Sequence, residues 1–392
     1  MDLSAFFEPI DLDEFPFSGE TTGQARLGNI IHVHTVADGM PDYTSCNIAL
    51  IGVTDDRKAI DNAGCGLAPD TIRKFLYKLN IGPYPVKMAD LGNIKNGFTV
   101  TDTYFALSSA IAEMIENNVI PVIIGGSQDM TFANYQAYQS LGQIINIVAV
   151  DPMFDLGKSE EELNAQSYLS SIILHQPNYL FNYANIGYQT YFIDQDALRL
   201  MKNLFFDTFR LGIVRETIED VEPIVRNADM LTFDVSAIRK SDAPGNGNAT
   251  PNGFYGEEAC QIVRYAGLSD KLTSIGFYEV NPSYDKTGQT AHLVAQMIWY
   301  FIDGYYNRAR DFPFRNEEDY LKYRVSIRDH KEEIVFYKSK KTDRWWMEIP
   351  LPAEQRIKYE RHYLVPCSYK DYQIACENDI PDRWWMVYQK LM

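Results

Sequence analysis

Ile145-Asn146-Ile147-Val148-Ala149-Val150-Asp151-Pro152-Met153-Phe154-Asp155 is the stretch that decides how this 392-residue chain folds. Its first six residues are almost continuously apolar and rich in β-branched side chains, which describes a strand covered on both faces. Two aspartates and a proline follow at once. Working outward, a second apolar run at 119–124 leads into Gly125-Gly126-Ser127-Gln128-Asp129, and a third at 230–233 leads into Asp234-Val235-Ser236. Further short apolar runs at 47–53, 183–186 and 272–277 alternate with segments of helical spacing at 69–79, 101–117, 131–141, 196–206, 256–266 and 289–308. This alternation predicts βαβ units around a mostly parallel sheet, a three-layer α/β/α architecture. In such sheets ligands bind beyond the carboxyl ends of the strands, where the three polar clusters fall.

A formal net charge of −17 excludes the basic footprint that nucleic acids or anionic membranes require. No apolar run reaches the ~18 residues of a membrane span. The acidic start, Met1 to Phe17, lacks the basic end and cleavage site of a signal peptide. Five scattered cysteines, without a Cys-x-x-Cys pair, read as reduced thiols, so a cytoplasmic protein without membrane insertion is expected.

The three clusters resemble the metal-binding motifs of the ureohydrolases, the family of arginase, agmatinase and formimidoylglutamase. Gly125 to Asp129 stands where these carry Gly-Gly-Asp-His-Ser, Asp151 to Asp155 where they carry Asp-Ala-His-x-Asp, and Thr232-Phe233-Asp234-Val235-Ser236 where they carry Ser-Phe-Asp-Val-Asp. The resemblance extends over about 46–308. It includes Leu50 to Val53, the helix from Ala68 to Tyr77, the loop Ala243-Pro244-Gly245-x-Gly247, and Glu279-Val280-Asn281-Pro282. Phe154-Asp155-Leu156 and Ile186-Gly187-Tyr188-Gln189 look most like formimidoylglutamases.

The resemblance implies a mostly parallel arginase-like sheet and two Mn²⁺ ions bridged by a hydroxide that attacks an amidine carbon. One ion's ligands map to Gln128, Asp151, Asp155 and Asp234, and the other's to Met153, Asp151, Asp234 and Ser236. Each motif has therefore lost a ligand. The first set, three carboxylates and an amide, still suits one Mg²⁺, Ca²⁺ or Mn²⁺, whereas a thioether and a hydroxyl serve the second ion poorly. Asp129 is offset by one residue from the place vacated by histidine. Two readings of Asp151, Asp155 and Asp234 stay open: a single retained cation, or a hydrogen-bonded, proton-sharing cluster with no cofactor. Glu258 maps to a glutamate that grips a cationic substrate, and a glutamate in the first turn of a helix is equally a complement to the helix dipole. His32-x-His34 reads as a surface pair, and His175, His292, His330 and His362 stand alone.

Beyond about residue 311 the composition shifts to Tyr, Trp, Arg and Lys. Asp-Arg-Trp-Trp-Met occurs twice, at 343–347 and 382–386, so four of the five tryptophans lie in one repeat: Trp345, Trp346, Trp384 and Trp385. A strand at 333–337 and a polar turn at 338–342 predict a β-hairpin, and two such units would make a small β-rich lobe. The tryptophans serve either as a docking surface for a protein partner or as an aromatic mini-core. The chain thus divides into an extension at 1–45, a ureohydrolase-like domain at 46–310 and an extension at 311–392. The expected function is a ureohydrolase-fold binding or scaffolding protein without the dinuclear centre, with homo-oligomers implied by the family. The alternative is an active amidinohydrolase of formimidoylglutamase or arginase type with one metal or an altered site.

Overall fold

The computed structural model describes residues 3–15, 26–158, 161–312, 317–328 and 333–391. The expected strands form one large sheet. Its members are β1 (Phe7–Glu8), β2 (His32–Val33), β3 (Ile48–Val53), β4 (Met88–Ile94), β5 (Ile120–Ile124), β6 (Ile145–Val150), β7 (Leu180–Tyr188), β8 (Asp207–Arg210), β9 (Met230–Asp234) and β10 (Ser274–Tyr278). Their order is β1-β4-β3-β5-β10-β9-β6-β7-β8, with β2 beside β4. Every pairing is parallel except β1 with β4.

Alternation along the strands sorts side chains into two cores. Val148 and Val150 of β6 join one cluster with Leu50, Val122, Leu231 and Ile275. Ile147 and Ala149 join the other with Ile51, Ile123 and Met230. The first face is covered by α1 (Ala68–Leu76), α8 (Gly256–Leu268) and α9 (Gln289–Tyr306), and the second by α2 (Val100–Glu116), α3 (Met130–Ser140) and α4 (Tyr168–Leu174). Between these in the chain come α5 (Gln195–Asn203), α6 (Leu211–Glu216) and α7 (Val221–Arg226). A sheet buried on both faces is the physical reason for its apolar strands.

Strand β4, absent from the expected set, is disguised by Asp90, Gly92 and Asn93. The Arg73 guanidinium of α1 reaches both oxygens of Asp90, at 2.8 and 2.9 Å, and the Tyr77 hydroxyl donates to it at 2.7 Å. Arg73 and Asp90 are both fully buried, so each charge depends on the other.

The C-terminal segment forms a separate antiparallel sheet of β11 (Tyr320–Ser326), β12 (Glu333–Ser339), β13 (Trp345–Glu348) and β14 (Leu364–Cys367), with α10 (Ala353–Arg356), α11 (Tyr369–Cys376) and α12 (Asp382–Leu391). β12 and β13 make the expected hairpin. The second Asp-Arg-Trp-Trp-Met copy forms no hairpin and opens α12 instead. Pro381 starts that helix, accepting the Trp385 N–H at 3.1 Å, and the continuation buries Trp384, Val387 and Leu391 at helical spacing.

Trp345 and Trp384 lie in the lobe's own core. Trp346, 1% exposed, is stacked under the Arg226 guanidinium of α7 at 4.3 Å, at the seam with the large domain. Trp385 is 43% exposed, which leaves one tryptophan of the repeat facing outward.

Candidate metal centre

The sheet order sets the site. β5, β10, β9 and β6 are consecutive neighbours, and the polar residues that follow each strand are therefore delivered side by side. β6 supplies Asp151 and Asp155, β9 supplies Asp234, β5 leads to Gln128, and β10 leads to Glu279. Asp151, Asp155 and Asp234 each offer a carboxylate oxygen within 4.8 Å of the other two, and all three are buried. Asp155 has a left-handed backbone, φ 49°, which aspartate tolerates better than most residues.

The two replaced positions on this side sit against the surviving carboxylates. The Met153 N–H donates to Asp151 Oδ1 at 2.7 Å, and the Ser236 N–H donates to Asp234 Oδ1 at 2.6 Å. Gln128 Nε2 donates to Thr232 Oγ1 at 2.9 Å, which turns the amide oxygen the other way. That oxygen, Asp151 Oδ2 and Asp155 Oδ2 are buried without a hydrogen-bond partner among the described residues. Buried oxygens are rarely left so, and the converging carboxylates of Asp151, Asp155 and Asp234 suit a hard, oxygen-loving cation. The carboxylates can thus hold one cation, the second of the two readings of the cluster being a proton shared between Asp151 and Asp155.

Asp129 takes no part: Tyr104 Oη donates to it at 2.6 Å and Ser127 Oγ at 2.5 Å. Glu258 accepts the Tyr255 N–H at 2.8 Å as the reciprocal arm of a helix cap, and the Arg215 guanidinium at 3.1 Å. A cationic ligand at Glu258 would have to displace Arg215. His32 is exposed, whereas His34 is buried with Nδ1 2.9 Å from Leu91 O. His175 packs edge-on against Phe132, and His330 lies outside the described residues.

Sequence reasoning assigned no role at the carboxylates to Glu279. It is 3% exposed, accepts the Gln128 N–H at 2.8 Å and the Asn62 amide at 2.6 Å, and feels the Asp234 charge. Its signal was available: like the other clusters, it directly follows a predicted strand. Burial pushes Asp151 up to about 8, with the Asp234 charge adding to it. The same two causes push Glu279 up to about 8. Burial raises Asp234 to about 6, and burial with the adjacent Asp151 raises Asp155 well above the carboxylate range.

These directions give a pH prediction. The folded chain holds protons on Asp151 and Glu279 up to about 8, whereas the unfolded chain releases them near the ordinary ~4. Between those limits the folded state binds more protons, so stability without metal falls as pH rises through that window. Thermal melting in a chelator is expected to show a lower midpoint at pH 8 than at pH 5.5, with added Mn²⁺ reducing the difference. A midpoint that rises with pH in chelator would contradict this assignment.

The sequence model described as the Arginase family matches residues 46–303. The chain belongs to the arginase family. A formimidoylglutamase of Staphylococcus aureus (strain MRSA252) is 25% identical over 271 residues, covering 66% of this chain and 86% of that protein. The Trypanosoma cruzi formiminoglutamase with Mn²⁺ superposes with a TM-score of 0.64 at 19% identity, over 73% of this chain and all of the other. The formimidoylglutamase of Bacillus subtilis gives 0.65 at 18% identity, over 76% and 99%. The C-terminal sheet lies beyond the matched residues of this arginase-family chain. Among the described residues, no helix is long and apolar enough to cross a membrane.

Proposed function

We propose that this arginase-family chain has lost the dinuclear manganese centre, keeps a place for one hard cation, and acts as a binding or scaffolding protein in the cytoplasm. The observation that carries this is the asymmetry of the site. On one side, Asp151, Asp155 and Asp234 converge, and Gln128, whose buried amide oxygen has no partner among the described residues, would complete an all-oxygen set that suits Mn²⁺, Mg²⁺ or Ca²⁺. On the other, a second ion would find a thioether at Met153 and a neutral hydroxyl at Ser236. Thioethers prefer soft metals, and one lost carboxylate removes charge that a second dication needs. Two metals would acidify a bridging water more than one does, and a lone ion forfeits that added acidification.

In this reading Asp151, Asp155, Asp234 and Gln128 bind the ion, and Glu279 fixes the Gln128 backbone that presents the amide. A protein partner would meet the C-terminal lobe around Trp385, the exposed member of the repeat. The test is hydrolysis with Mn²⁺ present. Formiminoglutamate, arginine and agmatine are expected to release no formamide or urea above the rate without protein. Turnover of any of the three would sink the non-catalytic reading.

A further inference from the structure

A cavity of about 530 Å³ opens at the opposite pole of the sheet, near the amino ends of β3, β5 and β10. Four cationic side chains line it: Lys271, Arg308, Arg310 and Arg361. Arg361 comes from the C-terminal lobe, so the cavity is built by both parts of the chain. In a protein of net charge −17 such a concentration of positive charge is not a consequence of composition.

The local charge is only half answered. Lys271 and Arg361 share one carboxylate, Asp229, at 3.5 and 2.6 Å. Among the described residues, Asp270 is the one acidic residue lining the cavity, and it already accepts the Asp311 N–H at 3.0 Å. Asp311 itself is answered by Arg344 at 3.4 Å. Arg308 is half-buried, and its guanidinium donates to two neutral carbonyls, Gly267 O at 2.8 Å and Leu272 O at 3.3 Å, while lying over the Tyr305 ring at 4.5 Å. Neither Arg308 nor Arg310 is in an ion pair among the described residues. Burial lowers Arg308 to about 10, which leaves it charged at neutral pH. Four cations against Asp229 and Asp270 leave two positive charges over.

We infer that this cavity binds a small phosphate monoester. Such a group carries about −1.5 to −2 charge at neutral pH, matching the surplus. Guanidinium forks suit its oxygens in bidentate geometry. The volume lies within the range of small-molecule sites and exceeds what a bare phosphate fills. The organic part of the ester meets the aromatic wall of Tyr305 and Phe312.

The experiment is calorimetric titration of the full-length protein with phenyl phosphate at low ionic strength. Saturable binding at one site per chain is expected. Arg310 is exposed and makes no hydrogen bond or ion pair among the described residues, so Arg310→Met should fold normally and weaken binding about tenfold, the size of one charge-assisted contact. Arg199→Met, an exposed arginine on α5, should leave binding unchanged. No binding up to about 10 mM phenyl phosphate would overturn the inference. So would equal affinity in wild type and Arg310→Met, or equal weakening by Arg199→Met. Chelator should not alter the result, which keeps this site's test separate from that of the carboxylate cluster.

Discussion

Gln128→His, Met153→His and Ser236→Asp introduced together are expected to raise bound Mn²⁺ to two ions per chain and to create hydrolysis of formiminoglutamate. The backbone already favours this. The Met153 and Ser236 N–H groups hold Asp151 and Asp234, so new side chains at 153 and 236 start beside those carboxylates. Met153 is half-buried, which leaves room for an imidazole of smaller length. At 128, histidine gives up the amide bond to Thr232, whose hydroxyl keeps its contact with Thr131 Oγ1 at 2.8 Å. Ser236→Asp adds a carboxylate to a cluster that already struggles to ionise, so the triple variant should be less stable than wild type in chelator. Manganese at about 100 times its dissociation constant would then return about 2.7 kcal/mol per site. Elemental analysis and a manganese-dependent melting shift would check this. A triple variant that gains neither ion nor activity would show that more than the ligands was lost.

Asp90→Ala is expected to destabilise the fold by about 3–5 kcal/mol, the usual result of stripping one partner from a buried ion pair. Arg73 would keep Asp70 at 3.0 Å and Asn93 at 2.5 Å, yet lose the bidentate partner that neutralises it under α1. Tyr77 would lose its acceptor as well. Urea denaturation of the chelated protein measures the loss. A change below about 1 kcal/mol, typical of an exposed pair, would mean that the interaction is not what holds β4 in the sheet.

Strands β3, β5, β6 and β9 were legible because parallel strands buried on both faces must be apolar throughout. Strand β4 was not, because its acidic and amide side chains become compatible with a core only when Arg73, 17 residues upstream of Asp90, folds over them. The paired Trp-Trp motif shows the same limit. One pentapeptide forms a strand at Trp345–Glu348 and a helix at Asp382–Leu391, since the flanking proline and the spacing of later apolar residues decide. At the site, Asp151, Asp155 and Asp234 were readable from their places after strands. Glu279 carried the same signal after its own strand, and its nearness to the carboxylates follows from the sheet order, which puts β10 between β5 and β9. The partners of Glu258 were likewise hidden, because Arg215 approaches from a separate helix.

The number of manganese ions held per chain, measured by elemental mass spectrometry after incubation with excess Mn²⁺ and desalting, with Asp151→Asn beside the wild type, separates a single cation site from a dinuclear one. One ion in the wild type and none in the Asp151→Asn variant is the predicted result. Two ions in the wild type would mean that Met153 and Ser236 do not empty the second position, and the proposal of a binding protein would give way to that of an enzyme.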